Sequence, residues 1–369
     1  MARFRYDPNR FRSADAAPPW PPAPGDVESF HRTLPGYEPT PLVKLPDLAR
    51  ELHVGELWVK DESKRLGLNA FKVLGASYAV HRFMRAQPAG AAFTFATATD
   101  GNHGRAVAWA AKRLGQKAVV FVPRNTVPAR IEAIRGEGAE VVVVDGTYDD
   151  TVRRAAGEAA ECGWQVISDT AYPGYTEIPA WIMEGYTTLF AESARQLEAA
   201  GRGPPTAVFL QAGVGGLACA GTLFYWRLKQ RPELVCVEPT DADCLRESIA
   251  SPDGGLHEAR GKQDSIMAGL NCGTPSLLAW PVIRAGMDGF LAVDDEYARE
   301  AMRRFARAGI VSGESGAAGL AGLLALRHEP GLAAAARDLV LGDGARVLLV
   351  STEGATDPAS YEKIVGKRP

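Results

Sequence analysis

Residues 93–144 read FTFATATDGNHGRAVAWAAKRLGQKAVVFVPRNTVPARIEAIRGEGAEVVVV, and this stretch decides the fold class. Phe93–Ala96, Ala118–Val122 and Glu140–Val144 are short apolar runs rich in valine and phenylalanine, continuous rather than alternating. Strands of that kind are buried on both faces, as in a parallel sheet covered by helices. The spacing predicts those helices over Gly104–Leu114 and Pro128–Gly136, then a helix over Thr151–Cys162 and a strand over Gln165–Ser168.

Working outward, Glu56–Lys60 reads as a strand closed by the polar run Asp61–Lys64, and Asn69 is expected to cap a helix through Phe71, Leu74, Tyr78 and Phe83. Downstream, helix Trp181–Ala200, strand Thr206–Leu210, helix Leu217–Lys229 and strand Leu234–Val237 form a second series. It is completed by helices over 295–308 and 316–327 and a strand over Arg346–Val350. The expected class is α/β, with two three-layer domains and mostly parallel sheets. A large domain would span 36–82 and 179–369, a small one 83–178, and residues 1–35 would be an arm over the large domain's surface. Thr240–Gly289 shows no readable pattern.

The chain of 369 residues carries 41 Lys and Arg against 44 Asp and Glu, so no basic field exists to hold nucleic acid. No apolar run approaches the ~20 residues a bilayer crossing needs. Met1–Arg12 lacks the apolar core of a secretory signal, and the five cysteines contain no C-x-x-C pair, so neither a disulfide framework nor a metal site is expected. A reducing cytoplasm fits that usage, with Cys244 and Cys272, which flank the unreadable stretch, expected as two free thiols.

In open α/β sheets, ligands sit beyond the carboxyl ends of strands, and three loops there carry chemistry. Gln211-Ala-Gly-Val-Gly-Gly-Leu217 joins a strand to a helix; its glycines admit a ligand to the backbone and the helix start suits a phosphate. Gly213-x-Gly215-x-x-Ala218 also meets the dinucleotide fingerprint, with Glu238 placed as a ribose-binding acid, which keeps an NAD-dependent amino-acid dehydrogenase open. Thr97–Gly104 is a small, polar loop containing Asp100, Asn102 and His103, suited to clamp a carboxylate or a ring hydroxyl, although a turn aspartate and a structural histidine are the plain readings. Lys72 opens a helix, where the dipole and burial favour a neutral amine able to form a Schiff base. A phosphate cradle, a Schiff-base lysine and a polar clamp together match the needs of pyridoxal phosphate.

Seven strings then resemble the diaminopropionate ammonia-lyases, in order from about Tyr37 to Gly366. They are Asn69-Ala-Phe-Lys-Val-Leu-Gly75, Thr99-Asp-Gly-Asn-His-Gly-Arg105, Asp169-Thr-Ala-Tyr-Pro-Gly-Tyr-Thr-Glu-Ile-Pro179, Gln211-Ala-Gly-Val-Gly215, Ile266-Met-Ala-Gly-Leu270, Ser312-Gly-Glu-Ser-Gly-Ala317 and Ser351-Thr-Glu-Gly-Ala-Thr-Asp357. The resemblance implies the fold known as type II among pyridoxal-phosphate enzymes, with the cofactor in an interdomain cleft, and a homodimer. It implies α,β-elimination converting 2,3-diaminopropionate, D and L, to pyruvate and ammonia; a serine/threonine-type ammonia-lyase of the same fold, or a cofactor-binding regulatory protein, is the alternative.

Carried over by matching position, Lys72 would hold the cofactor covalently and Asn102 its ring hydroxyl. Gly213, Val214, Gly215 and Gly216 would hold its phosphate, and Thr352 or Ser351 would face the pyridine nitrogen. Lys72 and Asp100 would act as bases on opposite faces, with Asp169 a further catalytic acid group that attracts the diamine's second ammonium. Thr99, Gly101, His103 and Tyr172 would meet the substrate. Glu314 either lines the cofactor or caps the next helix. The interval from Lys72 to Asp100 is shorter than the family's bacterial members lead one to expect.

Overall fold

The valine-rich runs assemble into two sheets in the computed structural model, which describes residues 3–13, 27–99, 101–146 and 148–369. In chain order the strands are β1 (Phe4–Pro8), β2 (Leu42–Lys44), β3 (Glu56–Asp61), β4 (Thr94–Ala98), β5 (Lys117–Pro123), β6 (Glu140–Val144), β7 (Gln165–Val166), β8 (Ala207–Gln211), β9 (Glu233–Pro239), β10 (Gly289–Val293) and β11 (Arg346–Ser351). Seven pair in the order β1-β10-β9-β8-β11-β3-β2, and four in the order β6-β5-β4-β7. The four-stranded sheet is parallel throughout, and in the larger one only the edge strands β1 and β2 run antiparallel. The central strands β8, β9 and β10 are buried almost end to end, which is why their sequence does not alternate.

Three expectations change. Part of the stretch read as an arm is structure: β1 pairs residue for residue with β10, Phe4 opposite Val293 and Pro8 opposite Gly289. Its five residues, ending in a proline, are too few to announce a strand. What holds them is a ladder with a partner almost 290 residues away, and ion pairs from Arg5 to Asp243 and from Asp7 to Arg246. Within the unreadable segment, Cys244–Ala250 and Ala279–Gly286 are helices, both too short for a periodic signature. Asn69 caps nothing. It adopts a left-handed turn (φ 59°), and the helix begins at Lys72 without a side-chain cap.

Helix Lys72–Arg85 lies between the two sheets, packed on one side against helix Glu177–Ala199 and on the other against helix Asn102–Arg113. Glycines permit the first contact. A Cβ on Gly75 would stand 2.5 Å from a ring carbon of Tyr186, and one on Gly185 would stand 2.5 Å from the Leu74 carbonyl oxygen.

The segment leading to Lys72 is anchored by a fully buried ionic cluster. Glu192 of the long helix accepts from Lys60 (2.6 Å) and from both terminal nitrogens of Arg65 (2.8 Å each), while Arg65 also pairs with Glu62 (2.8 Å). Tyr37 donates to the same Glu192 carboxylate at 2.6 Å. Burial alone would raise the Glu192 pKa, but Arg65 and then Lys60 outweigh it and pull it down to about 2. Such clusters contribute little net stability while intact, yet removing one partner strands the others. We expect Glu192→Gln to lower the unfolding free energy by about 3–5 kcal/mol, measured by urea denaturation at pH 7; a loss under ~1 kcal/mol would contradict the cluster's role. The folded pKa lies below the unfolded value near ~4.3. Its contribution is therefore present above that pH and fades as pH falls toward about 2.

Candidate active site

Residues that follow the carboxyl ends of β4, β8 and β11, joined by the loop after β7, line one cleft. The cleft brings together Lys72, Thr99, Asn102, His103, Asp169, the loop Gly213–Gly216 and Thr352. Three expected residues stand elsewhere. Gly101 lies against the Arg130 side chain in a neighbouring hollow, Tyr172 is 40% exposed and stacks on Tyr175, and Ser351 is buried with its hydroxyl on Ser312 at 2.8 Å. Asp100 lies outside the described residues.

Lys72 reaches the cleft because the turn before it is pinned to the end of β11. Phe71 N donates to the Thr352 carbonyl (3.1 Å) and Gly354 N to the Asn69 carbonyl (2.9 Å). Its Nζ is 2.5 Å from Asp169 Oδ2. The expected neutral amine is therefore corrected for the cofactor-free chain. Burial does push the Lys72 pKa down, but the Asp169 charge, aided by Tyr186, more than offsets it, so the amine is held protonated. The same pair works in reverse on Asp169. Burial raises its pKa, and Lys72 and then His103 bring it well below the usual carboxylate range.

His103 is neutral, mainly through burial. Its Nε2 lies 2.9 Å from the Ile167 carbonyl, which can only accept, so Nε2 carries the proton and Nδ1 is a bare acceptor without a partner among the described residues.

The glycine loop fits a phosphate. Gly216 opens helix Gly216–Trp226 and Gly215 precedes it in the left-handed region (φ 101°), so the N–H groups here have no helical carbonyl behind them. Space is as tight as the chemistry asks. A Cβ on Gly213 would stand 2.7 Å from Cys272 Sγ, and one on Gly215 2.7 Å from Ile283 Cδ1. Neither flanking thiol, Cys244 or Cys272, is part of a disulfide.

Gln211 and Glu353 are functional-looking residues that sequence reasoning passed over, although both lie inside quoted strings. Gln211 Nε2 sits within 3.1 Å of the carbonyls of Ser315, Gly316 and Val350 and of Thr352 Oγ1. Three backbone carbonyls force that atom to be the nitrogen. Its two hydrogens are shared among four acceptors, and in its contact with Thr352 Oγ1 (3.1 Å) the hydroxyl oxygen accepts, so the threonine's own proton is not used there. Arg130, Tyr148 and Asn271 also line the cleft, unannounced by any motif.

The dehydrogenase reading does not survive. Glu238 is fully buried, and its oxygens accept from Leu245 N and Arg246 N (2.9 Å each) at the start of the short helix, so it has nothing to offer a ribose. Glu314 fulfils neither expected role, since it bonds to Ser360 and the helix after it has no side-chain cap.

The Lys72–Asp169 pair yields a prediction. In cofactor-free Asp169→Asn the largest opposing charge is gone and burial is set only against Tyr186 and Cys272, so the Lys72 pKa should drop from its wild-type position above the ordinary ~10.4. The pH dependence of Lys72 labelling by an amine reagent, read by mass spectrometry, checks this; a midpoint as high as wild type refutes the pairing.

The chain matches the family model described as pyridoxal-phosphate dependent enzyme over residues 33–352. It is 41% identical over 381 aligned residues to a diaminopropionate ammonia-lyase of Escherichia coli (strain K12), covering 97% of this chain and 95% of the relative. It is 43% identical to one of Salmonella typhimurium (strain LT2) over 367, covering 92% and 91%. The crystal structure of the Escherichia coli enzyme in complex with an aminoacrylate-PLP azomethine reaction intermediate superposes with a TM-score of 0.89 at 39% identity, covering 99% of this chain and 97% of that one. With a lysine, a glycine cradle and a hydroxyl converging on one cleft, the chain belongs to the pyridoxal-phosphate dependent enzymes and, within them, to the diaminopropionate ammonia-lyases.

Proposed function

We propose that this protein is a lyase that converts 2,3-diaminopropionate, in both D and L forms, to pyruvate and ammonia. The observation that carries this is the ion pair of Lys72 with Asp169 in the cleft that the glycine loop also lines. Pyridoxal phosphate, held on a lysine amine, supplies a conjugated ring that delocalises the charge left when the substrate's Cα proton is removed. The protein's part is to bind, orient and move protons.

The N–H groups of Gly213, Val214, Gly215 and Gly216 would hold the phosphate, and Asn102 the ring hydroxyl. Thr352, rather than Ser351, would give its proton to the ring nitrogen, because Thr352 lines the cleft and the Ser351 hydroxyl is turned to Ser312. Lys72 Nζ would accept the Cα proton from one face, and Asp100 from the other. Asp169, holding a cation already, is the group that would receive the β-ammonium, which leaves as ammonia far more readily than an amide ion would. Thr99 and His103 Nδ1 offer acceptors to the substrate's amines.

The domain division into 36–82 with 179–369 and 83–178 goes with this reading, as do a homodimer and a cytoplasmic location. No helix among the described residues is long and apolar enough to cross a membrane.

Pyruvate formation from D- and L-diaminopropionate, beside serine and threonine, tests the substrate. Faster turnover of serine would favour the dehydratase alternative. Asp100→Asn should lose at least about 10²-fold in rate on the D substrate, the usual worth of a positioned base. It should keep its cofactor and its L activity, and unchanged D activity removes Asp100 from the mechanism.

A further inference from the structure

Glu353 is a carboxylate with no place in the proton transfers above, yet it is 1% exposed and lines the cleft. Everything it meets is a donor. Oε1 accepts from Ser315 N at 3.2 Å, and Oε2 accepts from Thr356 Oγ1 at 3.3 Å and from Asn102 Nδ2. Asn102 opens the helix after β4 of the smaller sheet, whereas Glu353 follows β11 of the larger one, so this bond also crosses between the sheets.

The chemistry of the pair fixes the amide. A carboxylate cannot donate, so the Asn102 atom facing it is the nitrogen, and the second hydrogen on that nitrogen remains for the cleft. We propose that Glu353 is a positioning residue: it locks the Asn102 side chain so that an N–H, and not the C=O, is presented to the ring oxygen of bound pyridoxal phosphate, keeping that oxygen deprotonated and the shared proton on the lysine-bound nitrogen. The inference rests on the reading of Asn102 given above. Without Glu353 the amide is free to turn its C=O inward, which favours a protonated ring oxygen instead.

The titratable and charged groups facing this region, among the described residues, are few. At the lysine end stand Asp169, His103, Tyr186 and Cys272. Behind Glu353 lie the buried Glu314, whose pKa burial and then the Glu353 charge push up, and Arg130, which donates to Thr356 Oγ1 at 3.4 Å. None of these is altered in the variants below.

The test is the pH titration of the visible absorption band of the protein loaded with pyridoxal phosphate, not its activity. Glu353→Gln should move the midpoint up by about one pH unit, because the deprotonated form loses its donor, a tenfold change in proton affinity. Asn102→Ala should move it equally, and the double variant no further, because both remove the same N–H. Should Glu353→Gln fail to fold, Glu353→Asp, whose charge is drawn back by one methylene, takes its place with the same expected direction. An unmoved midpoint, or shifts that add in the double variant, overturns the inference. A wild-type protein with no visible band overturns the cofactor reading itself, so the two failures are distinguishable.

Discussion

An ammonium and a carboxylate 2.5 Å apart, Lys72 and Asp169, are the interaction around which the site is built. Neither charge would survive alone at that depth, since burial disfavours both. Lys72 comes from the helix lodged between the two sheets and Asp169 from the loop after β7, so their pairing requires both sheets to present their carboxyl ends to one cleft.

The surrounding packing keeps that geometry narrow. The Gly75 and Gly185 contact lets the helix bearing Lys72 sink onto the long helix, and the buried Glu192 cluster fastens the preceding segment to that same helix. On the opposite wall, glycines at 213 and 215 leave the backbone as the surface a ligand meets. Close packing of this sort has discrete solutions, which suits a site that must hold a flat ring at fixed height.

Two side-chain amides deserve comparison because the same logic orients both. Gln211 faces three carbonyls, Asn102 a carboxylate, and in each case those neighbours can only accept. The amides are thereby set before any ligand arrives. A hydroxyl proton at one end of the cleft and an N–H at the other are pre-directed, which lowers the reorganisation a bound ring would otherwise demand.

The parallel α/β class, the glycine cradle and the lysine at a helix start were legible in the chain itself, because continuous valine runs and loop glycines have local physical causes. The charge on Lys72 was not. Helix position argued for a neutral amine, and a carboxylate 97 positions away reversed it, since Coulomb energy depends on distance in space rather than along the chain. The same holds for β1, whose partner is almost 290 residues distant, and for Glu238, whose acid group a short helix start consumes. Of the two adjacent hydroxyls Ser351 and Thr352, local sequence could not choose; strand alternation turned one inward to Ser312 and left the other on the cleft. Sequence alone thus determined which chemistry was possible, through residue types and loop spacing. Tertiary structure decided which groups are charged, which way their protons point and which are already spent, because those properties belong to neighbours that only folding supplies.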